Sequence, residues 1–119
     1  MGSTKFFEFW DWNEGHNLVL EIYKIIKKFP DTERFNLISQ LRSAAVSIPT
    51  NIAEGTGRRT TKDLIHFLVQ ARGSAYEVIY LLYLSKSLNY LDEEIYRELF
   101  SRYNRLAAAL NSHISSLDK

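Results

Sequence analysis

Apolar residues recur along the chain at spacings of three and four positions, the period of a helix with one buried face. No segment alternates apolar and polar residues for long, so strands are not predicted. Four such stripes follow one another: Leu18 to Phe29, Ile38 to Ile52, Leu64 to Ser85 and Ile95 to Leu117. The pattern therefore predicts an all-α protein built from four amphipathic helices.

Residues typical of helix ends separate the four stripes. The expected N-caps are Asp31, Thr60 paired with Asp63, and Asp92, and the expected ends are Pro30, Gly55 with Gly57, and Asn89. Because the connections between these points are short, consecutive helices should run antiparallel. We expect one domain over residues 1–119, an antiparallel up-and-down four-helix bundle, with residues 1–12 irregular.

Pro49 does not end the second stripe, which continues beyond it to Ile52. A proline within a helix removes one backbone hydrogen bond and crowds the preceding turn. We therefore expect helix two to be bent or broken at Pro49, with Thr50 to Glu54 still helical. Either the kink is merely tolerated, or it aims the loop from Gly55 to Arg59 at a ligand.

The composition is that of a folded protein, since 45% of the 119 residues are hydrophobic and 24% are charged. There is no cysteine, so disulfides and thiolate metal sites are excluded. The N-terminal segment lacks the basic start and apolar run of a secretory signal, and no stretch approaches the ~20 apolar residues of a membrane span. We expect a cytoplasmic protein without a cofactor or a membrane partner.

A long and specific motif lies between Gln40 and Val78, in the segment QLRSAAVSIPTNIAEGTGRRTTKDLIHFLVQARGSAYEV. Its SIPxNIAEGxGR core and downstream ARGS resemble the small bacterial four-helix proteins named after intervening sequences in 23S ribosomal RNA genes. Trp12 and the upstream LVLEIYKIIKKFP extend the resemblance to about residues 12–117. The sequence departs from that family at WDWNEGHN, where Gly15 should weaken the start of helix one by ~1 kcal/mol.

The resemblance implies a bundle that assembles as a barrel-like homopentamer, with no known enzymatic activity. The family includes the accessory variability proteins of diversity-generating retroelements, which bind nucleic acid and a partner reverse transcriptase. Those members are more strongly basic than this chain, whose formal net charge is +1. The resemblance thus makes the chain itself, RNA or DNA, and a reverse transcriptase the candidate partners.

Basic residues gather where the second helix should give way to the third. Arg58, Arg59 and Lys62 lie at the loop and at the start of helix three. Guanidinium groups match phosphate geometry and a helix start offers free N–H groups, so these three residues are candidates for binding nucleic acid or a protein partner. The alternative is that they form only a solvated surface.

Further bases flank this loop. From Arg42 to Arg72 there are five bases against two acids. We expect Arg42 and Arg72 to be structural, in ion pairs with Glu54 and Glu77, although a binding role stays open for Arg42, Arg72 and Glu54. A second basic group, Lys24, Lys27 and Lys28, is interpreted as a solvated face of helix one.

Catalysis is not predicted. His16, His66 and His113 lie at separate places along the chain, with no nucleophile motif beside them. Only Asp63 with His66 imitates the spacing of a metal site in a helix bundle, and EGTGRR lacks the lysine of a phosphate-binding loop. We therefore assign neither a catalytic residue nor a metal ligand.

Aromatic residues form two groups, Phe6, Phe7, Phe9, Trp10 and Trp12 near the N-terminus and Tyr76, Tyr80 and Tyr83 beside the third stripe. They could stack on bases, but contact between subunits is the interpretation we favour. Two hypotheses for function follow. One is a nucleic-acid-binding accessory protein, favoured by the arginine loop; the other is a self-assembling scaffold or protein-interaction module, favoured by the near-neutral charge.

Overall fold

The structure is a computed structural model that describes residues 4–118. Within that range it contains no strand and four α-helices: α1 Trp10–Ile26, α2 Leu37–Thr56, α3 Thr61–Ser87 and α4 Glu93–Leu117. Short 3₁₀ helices at Lys5–Glu8 and Asp31–Glu33 precede α1 and α2. The predicted all-α fold of four helices is confirmed. Residues 1–3 and 119 of the predicted domain lie outside the described residues.

The four helices pack in sequence order around one core. Each helix contacts its neighbours along the chain, and α4 returns to contact α1, while diagonal pairs within residues 4–118 make no close backbone contact. The body measures 43 × 23 × 19 Å. One end, here called the junction end, holds the start of α1, the α2–α3 connection and the end of α4. The far end holds the other two connections, where Phe29 contacts Tyr90.

The helical stripes supply the core. Small buried residues, Ala44 and Ala45 in α2 and Ala71 and Ala75 in α3, let these two helices pack over a longer stretch than the other described pairs. Larger side chains from all four helices are fully buried, among them Ile22, Leu41, Leu82 and Leu106. Burial of such side chains is worth about 1.5–3 kcal/mol each, which makes this core the main source of stability.

Two polar contacts join helices that are distant in sequence. Arg102 of α4 donates two hydrogen bonds to Glu14 of α1, each 2.9 Å long. The bond to Glu14 raises the pKa of Arg102, so this guanidinium is always charged. Between α2 and α3, the hydroxyl oxygens of Ser47 and Ser74 lie 2.8 Å apart. Both contacts fix the register of neighbouring helices.

Two of the three predicted N-caps are confirmed. The Thr60 hydroxyl accepts the Asp63 amide at 3.1 Å, and the Asp92 carboxylate accepts the amide of Ile95 at 2.9 Å. The prediction that Asp31 caps the second helix is wrong. Asp31 begins a 3₁₀ turn after Pro30, and α2 starts only at Leu37.

Of the two glycines predicted to end helix two, only Gly57 does so. Its amide bonds back to Ala53 and Glu54 carbonyls, whereas Gly55 lies inside α2. A Cβ atom at Gly55 would lie 2.8 Å from the Phe67 Cβ, so this glycine permits the close approach of α2 and α3. At the end of α3, Asn89 adopts the left-handed conformation expected of a helix stop, with φ of 65°.

The backbone of α2 is continuous through Pro49, with Thr50 to Glu54 helical as predicted. A break at Pro49 is therefore wrong, and a bend remains a prediction. Thr50 and Asn51 donate side-chain hydrogen bonds to carbonyl oxygens one turn earlier, at 2.7 and 2.8 Å. Side-chain bonds of this kind often accompany helix bending. They also add hydrogen-bond donors next to Pro49, which has no backbone N–H of its own.

Helix α1 begins at Trp10, so the irregular segment expected through residue 12 ends earlier. Gly15 lies within the helix and is buried. A Cβ atom there would lie 3.3 Å from the Ile48 Cγ2 and 3.6 Å from the Pro49 Cδ. The glycine that weakens the helix locally thus lets α1 pack directly on the proline turn of α2.

Candidate nucleic-acid interface

The candidate binding residues lie on the short connection between α2 and α3. Arg58 is the most constrained of them. Its Nη2 donates to the Glu54 Oε2 at 2.9 Å, and its guanidinium lies 4.7 Å from the centre of the Phe67 ring. These contacts orient the side chain, which is still 46% exposed. Arg58 therefore presents a pre-oriented guanidinium whose charge is partly offset by Glu54.

Arg59 and Lys62 are different in kind. Both side chains are exposed, and neither has a hydrogen bond or ion pair within residues 4–118. Neither charge is held in an ion pair in that range, so both are available to a ligand. The alternative interpretation, that these residues form only a solvated surface, also stays a prediction.

A cleft of about 410 Å³ lies beside these residues at the junction end. Its basic lining residues come from three parts of the chain: Lys5, Arg58, Arg59 and His113. Its hydroxyl-bearing lining residues are Thr56, Thr60, Thr61 and Ser116. No acidic residue lines it within the part of the chain that is described. The charge and the hydroxyl groups of this junction cleft suit an anion.

Half-buried His113 pairs with buried Asp11, a contact that the sequence did not predict. Its Nδ1 lies 2.6 Å from the Asp11 Oδ2, and the Phe9 ring packs against the imidazole with centroids 4.8 Å apart. Asp11 is 4% exposed, and its Oδ1 is enclosed without a hydrogen-bond partner. The two residues are 102 positions apart, so no local pattern could pair them.

The predicted ion pairs of Arg42 and Arg72 are wrong. Arg42 is exposed and unpaired among residues 4–118, because Glu54 lies three turns further along α2 and pairs with Arg58 instead. Arg72 donates from Nη1 to the Asn111 Oδ1 at 2.6 Å, which ties α3 to α4. Arg72 is therefore structural as expected, but through an amide rather than through Glu77.

The other histidines do not join this cleft. His16 stacks on Trp12 with centroids 5.3 Å apart, and His66 contacts Phe67 and Gln70 on α3. Within residues 4–118, no group of three or more histidine and acidic side chains is placed to hold a metal ion. The isolated Asp63 and His66 spacing thus has no further ligands around it.

An aromatic surface runs along the outer side of α3. Tyr76, Tyr80 and Tyr83 are each at least half exposed, at 50%, 59% and 52%. Tyr83 meets Tyr96 of α4, and the Lys86 ammonium lies 5.0 and 4.7 Å from the centres of these two rings. On the opposite side, an apolar groove between α1 and α2 is lined mainly by aromatic and aliphatic side chains such as Trp12 and Pro49. The bundle thus carries two different exposed apolar surfaces.

Comparison with known proteins identifies the family. The family described as 23S rRNA-intervening sequence protein matches residues 9–112. The chain belongs to this family, which confirms the resemblance drawn from the SIPTNIAEGTGR motif. Membership of its retroelement branch stays a prediction. No curated protein matches the sequence.

A solved structure has the same fold. It is the crystal structure of a protein with unknown function from the S23 ribosomal protein family of Bacteroides thetaiotaomicron VPI-5482, with a TM-score of 0.82 and 23% identity. The match covers 88% of this chain and 95% of that one. Among residues 4–118, none of the helices combines the length and hydropathy needed to cross a bilayer.

Proposed function

We propose that this protein is a non-catalytic, self-associating nucleic-acid-binding protein that contacts phosphate groups through its junction end. The observation that carries the proposal is the junction cleft, whose described lining has four basic residues, four hydroxyl residues and no acid. The exposed charge of Lys62 extends this surface outside the cleft. A reverse transcriptase is the protein partner suggested by the retroelement branch of the family.

Phosphate contacts, rather than base contacts, should dominate the binding. Arg58 and Arg59 offer guanidinium forks that match phosphate oxygens. The α2–α3 connection is only four residues long, from Gly57 to Thr60, and presents no helix or ribbon that could enter a groove. Binding should therefore depend weakly on sequence and strongly on salt.

We propose no catalytic step, because among the hydrogen bonds of residues 4–118 no hydroxyl group is paired with the His113 imidazole. Asp11 and His113 form an acid–histidine pair, but the nearby Ser116 hydroxyl donates to the His113 carbonyl at 2.7 Å. The remaining histidines are held in aromatic contacts elsewhere. A bound phosphate at the junction end would thus be held rather than attacked by a side chain.

Self-association is the second part of the proposal. A single chain exposes the tyrosines of α3 on one side and the α1–α2 groove on another, so two different surfaces are available for contact between copies. A head-to-tail contact between unlike surfaces forms a ring when the rotation from one copy to the next closes. We propose a homopentamer, as the family resemblance implies, in which the tyrosine surface of one copy seats in the groove of the next.

Light scattering coupled to size-exclusion chromatography measures the mass of the assembly and so tests the proposed pentamer. The expected mass is close to five times the 13.9 kDa of one chain. Tyr80→Glu should dissociate the ring because it places a charge in the contact, while Phe35→Glu, at a side chain 89% exposed in the α1–α2 connection, should leave it intact. A monomeric wild-type protein at micromolar concentration would contradict this part of the proposal.

Nucleic-acid binding is tested by titrating short labelled RNA and DNA with the protein at low and at physiological salt. Arg58→Ala with Arg59→Ala should weaken binding about tenfold for every sequence and flatten the salt dependence. The control is Lys27→Ala with Lys28→Ala, which removes the same charge at the far end, where charges are screened beyond ~8 Å at physiological salt.

The alternative function is a scaffold that binds only protein. The exposed aromatic surface of α3 favours it, since tyrosine is enriched where proteins meet. Absence of binding by the wild type at low salt, or equal binding by the arginine variant, would favour the scaffold over the nucleic-acid proposal.

A further inference from the structure

We propose that the junction cleft holds the terminal phosphate of a nucleic-acid strand, a phosphate monoester, while backbone phosphates pass over the exposed surface outside it. This inference rests on the proposed function, because it names the part of the nucleic acid that the same site recognises. It is carried by the concave shape of the cleft and by the donors that reach it from α4 as well as from the α2–α3 connection.

The connection and the first turn of α3 supply four of these donors. Arg58 and Arg59 each bring a guanidinium to the cleft. The Thr60 hydroxyl accepts a backbone amide of α3 and keeps its own proton free to donate. The Thr61 hydroxyl has no partner within residues 4–118. Two guanidinium groups and two hydroxyl groups, from four consecutive residues, therefore line the cleft.

The end of α4 adds His113. Its Nδ1 is engaged by the Asp11 carboxylate at 2.6 Å, which leaves Nε2 as the ring nitrogen available to a ligand. Nε2 has no protein partner in the described range, and it is not among the enclosed polar atoms, so solvent reaches it. A doubly protonated ring donates to Asp11 and to a phosphate oxygen at once. Asp11, being buried, acts as a positioning residue.

This donor set matches a terminal phosphate better than an internal one. A monoester presents three free oxygens and a charge of about −1.5 to −2 at neutral pH, whereas a backbone diester presents two free oxygens and one charge. The cleft, with a volume of about 410 Å³, has room for a terminal phosphate and its nucleotide. The interior of a strand continues in both directions and instead fits the open surface around Lys62.

The test compares one short single-stranded RNA in three forms: with a 5′-phosphate, with a 3′-phosphate, and with hydroxyl groups at both ends. An internal label reports binding, and inorganic phosphate and a nucleoside monophosphate are added as competitors. One phosphorylated form should bind about tenfold more tightly than the hydroxyl form, the effect of one or two charge-assisted hydrogen bonds. Both competitors should abolish that preference while leaving the hydroxyl form bound.

Single substitutions test whether the cleft causes the preference for a phosphorylated RNA end. His113→Gln and, independently, Thr61→Val should each reduce the preference for the phosphorylated form to below about threefold, because each removes one donor to the terminal phosphate. Thr61 is exposed, so its substitution is informative even if His113→Gln does not fold. Lys62→Ala is the matched control, expected to weaken all three forms equally and to keep the preference.

The outcomes separate this inference from the proposed function. Equal binding of the three forms would overturn the terminal-phosphate site and leave nucleic-acid binding standing. A preference that survives both His113→Gln and Thr61→Val would also overturn it, since the recognised group would then lie elsewhere. Absence of binding by all three forms would overturn the proposed function itself.

Discussion

The contact between Glu14 and Arg102 gives a sharp prediction about stability. Its two 2.9 Å hydrogen bonds join α1 to α4, helices that pack less extensively than the other neighbouring pairs. The Glu14 side chain is 11% exposed and the Arg102 side chain 26%. Replacing either residue by a neutral one, Glu14→Gln or Arg102→Met, leaves the charge of the other residue without its partner.

The two replacements should differ in cost. Breaking a fully buried ion pair from one side costs about 3–5 kcal/mol, and the partial exposure of Arg102 lowers this range. Arg102→Met leaves a more deeply buried carboxylate without partners, so we expect about 3–4 kcal/mol. Glu14→Gln leaves a guanidinium that can reach water, so we expect about 1.5–2.5 kcal/mol.

Urea unfolding of the wild type, both single variants and the double variant at one fixed protein concentration measures these costs. The double variant should recover part of the loss, with a coupling of about 2 kcal/mol, because it leaves no stranded charge. Equal costs for the two single variants, or strictly additive costs in the double variant, would refute the reasoning from burial.

Three further predictions concern single side chains. Tyr103→Phe should leave the free energy of unfolding unchanged or raise it by up to about 1 kcal/mol, measured by urea unfolding, because the Tyr103 hydroxyl is buried without a partner. Gly55→Ala should destabilise the protein by about 1–3 kcal/mol, because the new methyl group would collide with Phe67. Gly73→Ala should stabilise it by about 0.5–1 kcal/mol, because nothing lies within 4 Å of the new methyl group and alanine favours a helix. A higher melting temperature for Gly55→Ala than for Gly73→Ala would contradict the close approach of α2 and α3 at Gly55. Pro49→Ala should shift amide resonances of the α2–α3 connection more than it changes stability, because it both restores a hydrogen bond and loosens the unfolded chain.

Local features of the fold could be predicted from sequence because they depend on neighbours in the chain. The apolar period gave four helices, and the caps Thr60 and Asp92 act within one turn. Asp31 failed as a cap because Pro30 leads into a 3₁₀ turn there, an outcome that the capping pattern does not distinguish. Gly55 was misread as a helix end because its role depends on Phe67, which is brought close only by packing of α2 on α3.

The candidate site was predictable only in part. Arg58 and Arg59 stood out because they follow a helix-ending glycine in a motif. The pairing of Asp11 with His113 and the concave cleft could not be seen, since they arise where the two ends of the chain meet at one end of the bundle. The ion pair predicted for Arg42 was also wrong, because a count of charges along the sequence does not show how far apart two residues lie on a helix.

The central claim, that nucleic acid binds at the junction end, is tested most directly by following backbone amides during a titration with single-stranded RNA. Transverse-relaxation-optimised NMR spectra of the assembled protein suit this measurement. The amides of residues 57–62 and of His113 should shift in a saturable manner, while those of residues 27–34 at the far end should not. Shifts confined to the far end, or absent throughout at low salt, would contradict the account.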